Sequence, residues 1–77
     1  MVEFLIIGVI TMELIPRIKE MRMEAHMNQM QLAKKINMSK SQLSEIERGK
    51  NYPSAPTLWK IAKGIGCLVD DLYEVSN

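Results

Sequence analysis

The chain holds one cysteine, one histidine and one tryptophan among its 77 residues. A lone cysteine, Cys67, excludes an intramolecular disulfide and any multi-cysteine metal site, and it favours a reducing compartment, so a cytoplasmic protein is expected. His26 has no second histidine and no nearby cysteine at ligand spacing, and it reads as a turn residue. No glycine loop of the kind that cradles phosphate is present. These absences leave no constellation for general acid–base, nucleophilic or metal chemistry, so neither an enzyme nor a cofactor or metal site is expected. A long hydrophobic run is missing too. The longest, which begins with Phe4 to Ile10, reaches roughly half of the ~20 residues a bilayer requires before Glu13 interrupts it. A signal peptide fits badly, because the start is not basic and Glu3 stands near it.

What is present describes one small globular domain, with 47% apolar and 25% charged residues. The net charge of +1 looks too weak for a polyanion binder, yet the charges are segregated. Residues 1–26 carry three basic and four acidic groups, residues 27–64 seven basic and two acidic, and residues 65–77 three acidic only. The middle is therefore +5 between flanks of −1 and −3, a pattern that bears on partners and not on fold.

Most of the chain reads as short helices with clear punctuation. Ile18, Met21, Arg22 and Ala25 keep helical spacing after Pro16, a residue suited to the first helical position, which predicts a helix over 16–25. Asn28 stands three residues before Gln31 as in a capping box, and Leu32, Ala33 and Ile36 supply an apolar stripe for a second helix over 29–36. Ser39 and Gln42 repeat the box and open a third helix that ends near Arg48. Ser54 caps a fourth, over 55–64, whose Leu58, Ile61, Ala62 and Ile65 recur at i, i+3, i+4 and i+7. Val69 to Tyr73, with two acids near a helix start, predicts a fifth. His26, Asn37, Gly49 and Gly66 fall where helices must stop and are residue types that tolerate positive φ. The tight link from Asn37 to Ser39 makes the second and third helices cross steeply, as in a helix-turn-helix unit.

Residues 17–73 resemble the phage repressor/Cro-like, XRE-type helix-turn-helix family. The likeness is carried by Gln29, Leu32–Ala33, Ile46–Glu47–Arg48–Gly49–Lys50, Pro53–Ser54 and Ile61–Ala62, which occur in order and at the family spacing. It implies an all-α fold, a compact bundle of five helices that binds DNA with the third helix in the major groove. Three departures are visible. His26 and Asn37 replace glycines usual in the family, and Leu68 stands where a capping serine or threonine is usual before the last helix.

With Leu43 and Ile46 turned inward, Lys40, Ser41, Ser44 and Glu45 lie on the outer side of the third helix. Alone, these four would describe a solvated helix face; within the motif they are the expected base-reading residues. Lysine donates to guanine O6 or N7, serine donates or accepts, and a carboxylate accepts from cytosine N4. Gln29, Ser39, Arg48, Lys50 and Asn51 are the expected phosphate contacts, which position without specifying. Arg22 and Glu47 match a family ion pair and read as structural. Of the methionines, most of Met21, Met23, Met27, Met30 and Met38 read as core filler, Trp59 as partly buried in a core or interface, and Cys67 as a small buried hydrophobe.

Residues 1–11 form a separate apolar arm ahead of a domain spanning 12–77. The β-branched run from Phe4 to Ile10 favours a strand, and Met12 offers a second possible start. Because everything from Pro16 onward reads as helix or turn, the expected partner for that strand is the same segment of a second subunit. A homodimer is expected, through Phe4 and Ile6 of the arm or through Val69, Leu72 and Tyr73. The function expected is a dimeric, sequence-specific transcription regulator acting on a two-fold-symmetric double-stranded DNA operator. The alternative is an antitoxin that binds a protein toxin and autoregulates its operon.

Overall fold

The computed structural model describes residues 13–76, in the order β1 (Glu13–Pro16), α1 (Ile18–Glu24), α2 (Gln29–Lys35), α3 (Lys40–Glu47), α4 (Ala55–Ile65), a single 3-10 turn (Val69–Asp71) and β2 (Tyr73–Ser76). The apolar arm at 1–11, with Phe4 and Ile6, lies outside the described residues.

Local sequence accounts for the starts of α2 and α3, whereas Ser54, the expected cap of α4, makes no side-chain capping bond to the backbone. Asn28 Oδ1 accepts from the Gln31 N–H at 2.8 Å while Gln31 Oε1 accepts from the Asn28 N–H at 2.8 Å, so α2 opens on a reciprocal capping box. Ser39 Oγ accepts from the Gln42 N–H at 3.0 Å at the start of α3. The stops share one geometry. His26, Asn37, Gly49 and Gly66 all have positive φ, at 59°, 56°, 77° and 91°. After α1, α2 and α3 the chain closes in a Schellman motif, which satisfies carbonyls left over at the helix end. For α3, the Gly49 N–H donates to Ile46 O at 3.1 Å and the Lys50 N–H to Glu45 O at 2.9 Å.

Each helix contributes a stripe to one core: Ile18 from α1, Leu32 and Ala33 from α2 with Ile36 at its end, Leu43 and Ile46 from α3, and Ile61 and Ala62 from α4. Gly64 sets how closely α4 approaches α2, since a Cβ there would lie 2.5 Å from Ile36 Cγ2 and 3.2 Å from Leu32 Cδ1.

The C-terminus departs from expectation. In place of a fifth helix, the chain makes the 3-10 turn, buries Leu72 completely and continues as β2. β2 pairs antiparallel with β1 in the register Leu14↔Val75, Ile15↔Glu74 and Pro16↔Tyr73. The described residues are thus mostly helical, with four α-helices and a two-stranded sheet among them. The physical reason is that Val69 to Tyr73 has no polar N-cap side chain: Leu68 is exposed, and its N–H is taken by Asp71 Oδ2 at 3.0 Å, which closes one tight turn. The aromatic and β-branched pair Tyr73 and Val75 then suits an extended chain. Pro16 accordingly ends β1 and does not begin α1, and the chain after Pro16 is not all helix and turn, since it holds β2, which pairs with β1.

Of the side-chain expectations, that for Trp59 changes, and those for the methionines and Cys67 hold in part. Trp59 sits one residue off the apolar stripe of α4 and is 68% exposed, so it joins no core among the described residues. Met27 and Met38 pack against the core, Met21 is half-buried, and Met23 and Met30 are exposed. Cys67 is half-buried against the core. No helix of the described residues is long and apolar enough to cross a membrane.

Candidate nucleic-acid interface

The left-handed Asn37 ends α2, and the Ser39 cap starts α3 two residues later, so the two helices meet across a minimal turn. Leu43 and Ile46, 0% and 6% exposed, fix the inner side of α3. Helical geometry then leaves Lys40, Ser41, Ser44 and Glu45 outward. Lys40 and Ser41 are exposed, whereas Ser44 and Glu45 are half-buried.

Behind that face, α3 is tied to α1 and α2 through one carboxylate. Arg22 Nε donates to Glu47 Oε2 at 2.8 Å and Arg22 Nη2 to Glu47 Oε1 at 3.2 Å, a two-pronged pair with both side chains under a tenth exposed. The remaining guanidinium nitrogen, Nη1, donates to Met27 O at 2.9 Å and holds the turn after α1. Gln29 Nε2 adds a third donor to Glu47, reaching Oε1 at 3.0 Å. Glu47 is therefore satisfied from two helices at once, which sets the rotation of α3 about its axis.

The flanking residues divide. Ser39 spends its hydroxyl on the cap, and Gln29 turns its amide towards Glu47, so neither side chain is idle. Arg48 is exposed, with Nε donating back to Ser44 O at 3.3 Å, and Lys50 is exposed beyond the helix end. Asn51 differs most from expectation. Its Nδ2 donates to Glu45 Oε1 at 2.8 Å, joining an expected phosphate contact to an expected base reader. Neither the Gln29 nor the Asn51 bond was legible in the sequence, because each joins residues brought together by a turn and not by helical spacing.

A second surface lies elsewhere on the domain. Leu14, Tyr52, Leu58, Val69, Tyr73 and Val75 line a shallow apolar groove of about 490 Å³ over one face of the sheet. Of the residues expected at an interface, Val69 and Tyr73 line this groove, but Leu72 does not: it is 0% exposed and belongs to the core. Leu14 and Val75, directly opposite each other across the strands, are 48% and 52% exposed. The Tyr52 and Tyr73 rings lie 5.9 Å apart, and the buried Tyr73 hydroxyl has no hydrogen-bond partner among the described residues. Burial, with Tyr52 alongside, pushes the Tyr73 phenol above its usual range.

Comparison with known proteins agrees with this geometry. The helix-turn-helix family model matches residues 18–72, and the chain belongs to that family, in its phage repressor/Cro-like (XRE) branch, whose members are DNA-binding regulators and not enzymes. The chain is 45% identical over 53 residues to the "Immunity repressor protein" of Bacillus phage phi105 and 47% identical over 45 residues to the "ImmF control region 10 kDa protein" of the same phage. These matches cover 69% and 58% of this chain but only 37% and 50% of those relatives' own lengths. An "Uncharacterized HTH-type transcriptional regulator" of Archaeoglobus fulgidus is 33% identical over 57 residues, covering 74% of this chain and 80% of that protein. Among solved structures, the restriction-modification controller protein C.Esp1396I superposes with a TM-score of 0.62 at 35% identity, covering 66% of this chain and 67% of that one. The controller protein C.AhdI of Aeromonas hydrophila, at 24% identity and a TM-score of 0.68 over 71% of this chain and 83% of that one, shares the fold.

Proposed function

We propose that the chain is a dimeric, sequence-specific DNA-binding transcription regulator that lays α3 in the major groove of a two-fold-symmetric operator. The observation that carries this reading is the outer face of α3, where Lys40, Ser41, Ser44 and Glu45 stand on a helix whose rotation is fixed from behind by Arg22, Glu47 and Gln29. The names of the relatives, repressors and transcription regulators among them, support the same reading.

Each residue has a chemical part in it. Lys40 donates to guanine O6 or N7, Ser41 and Ser44 donate or accept at base edges or phosphates, and Glu45 accepts from a base amino group. Arg48 and Lys50, beyond the helix end, neutralise phosphates, and the second N–H of the Gln29 amide points one more donor at the backbone. A carboxylate near phosphates lowers affinity everywhere and least where an amino group meets it, so Glu45 narrows sequence choice more than it strengthens binding.

The dimer forms through the apolar sheet face. A two-stranded sheet is marginal alone, and here its inner half, Pro16 and Tyr73, is sheltered while Leu14 and Val75 stay open to water. A second copy related by a two-fold axis covers that face symmetrically. The lone, half-buried Cys67 suits a reducing cytoplasm.

Footprinting on a selected operator tests the reading. Two protected half-sites with centres about 34 Å apart, one duplex turn, are expected. Uniform, sequence-independent coverage would reject it. Co-purification with a small basic protein would mark the antitoxin alternative.

A further inference from the structure

We infer that Asn51 is a positioning residue for Glu45, holding its carboxylate by one oxygen so that the other is presented to a base. The inference rests on α3 being the groove-facing helix and adds a specificity determinant outside that helix.

Three observations converge on it. The turn after α3 is a Schellman motif built on the left-handed Gly49, and its Lys50 N–H donates to the backbone carbonyl of Glu45 itself at 2.9 Å. That bond folds the chain back over the last turn of α3 and brings Asn51 beside the Glu45 side chain, where Nδ2 reaches Oε1 at 2.8 Å. Glu45 is thus gripped at both backbone and side chain, and it is half-buried although it is a charged residue on the outer side of a helix. Among the described residues, Asn51 is the one hydrogen-bond donor to that carboxylate, and neither arginine nor lysine pairs with it.

The chemistry of the donor matters. A lysine or arginine at 51 would neutralise the carboxylate and compete for its lone pairs. A neutral amide fixes the rotamer and leaves the negative charge intact, with Oε2 free to accept. A carboxylate so held favours an amino group, cytosine N4 or adenine N6, and rejects the guanine O6 and thymine O4 acceptors. Without the amide the side chain turns freely, can swing from an unfavourable base, and discriminates less. Asn51 therefore acts on one base pair through Glu45 and does not act uniformly through the phosphates.

The experiment is a double-mutant cycle on the full chain, reading relative affinities for an operator and its single-base variants. Glu45→Ala first identifies the base pair at which Glu45 acts. Asn51→Ala should then flatten the preference at that same pair by at least about fivefold, the lower end of a good base contact, and leave the other positions unchanged. In the Glu45→Ala background, Asn51→Ala should change nothing further. Thermal melting of each variant separates these effects from loss of fold. If Asn51→Ala weakens every sequence equally, or adds its full effect to Glu45→Ala, Asn51 is a phosphate contact and the inference is overturned. If Glu45→Ala leaves every preference intact, the base-reading role of Glu45 falls and this inference with it, a result distinct from the first.

Discussion

Replacing Arg22 by alanine should destabilise the domain more than any single change at its surface. Arg22 is 7% exposed and supplies two of the three hydrogen bonds to Glu47, whose side chain is 3% exposed. Removing one partner of a buried pair leaves the other charge desolvated, at a cost of about 3–5 kcal/mol. Gln29 still donates to Glu47 Oε1 in the variant, which places the loss near the lower end, about 3 kcal/mol. For a domain this small, each kcal/mol moves the melting temperature by roughly 4–8 °C, so a drop of roughly 12–24 °C is expected. The compensated variant Arg22→Met with Glu47→Leu tests the cause, because removing both charges is often neutral or stabilising. Thermal and urea unfolding followed by circular dichroism would measure both. A wild-type midpoint for Arg22→Ala would refute the reasoning. A double variant as unstable as the single one would show that shape, and not an orphaned charge, is what counts.

Other changes have definite signs. Gly64→Ala gains helix propensity but drives a methyl against the stiff Cγ2 branch of Ile36, so a net loss of about 1–2 kcal/mol by urea unfolding is expected. His26→Gly relieves a non-glycine residue at φ 59° and should raise the stability measured by urea unfolding by about 0.5–1 kcal/mol, with Asn37→Gly gaining less because asparagine tolerates that region better. Burial, reinforced by Asp71, pushes the Cys67 thiol above its usual range, so its alkylation near neutral pH should be slower than that of a free thiol and should accelerate only at higher pH. Since the fold favours the protonated thiol, its contribution to stability is present below the ordinary thiol range and is lost as pH rises through the raised value.

Where structure depends on neighbours in the chain, the sequence was a good guide. The Asn28–Gln31 and Ser39–Gln42 boxes announce α2 and α3, and His26, Asn37, Gly49 and Gly66 mark the stops, because caps and left-handed residues act within a few positions. The inward Leu43 and Ile46 follow from helical spacing alone. What stayed hidden is non-local. Glu13–Pro16 and Tyr73–Ser76 are each four residues long, too short to show alternation, and each gains its reason to be extended only from the other. Leu72, expected at an interface with Val69 and Tyr73 of a fifth helix, lies in the core because the chain makes a 3-10 turn there and not a helix. The same limit hid the bonds from Gln29 to Glu47 and from Asn51 to Glu45, which join residues 18 and six positions apart through turns.

The most direct test of base reading by α3 is selection of duplexes from a random DNA pool by the wild-type chain and by Lys40→Ala, Ser41→Ala, Ser44→Ala and Glu45→Ala. The wild type should enrich a two-fold-symmetric sequence, and at least one variant should change the preferred base at a symmetric pair of positions by about 1–3 kcal/mol of discrimination while keeping the rest of the motif. Five identical motifs, or no enriched motif at all, would contradict the account.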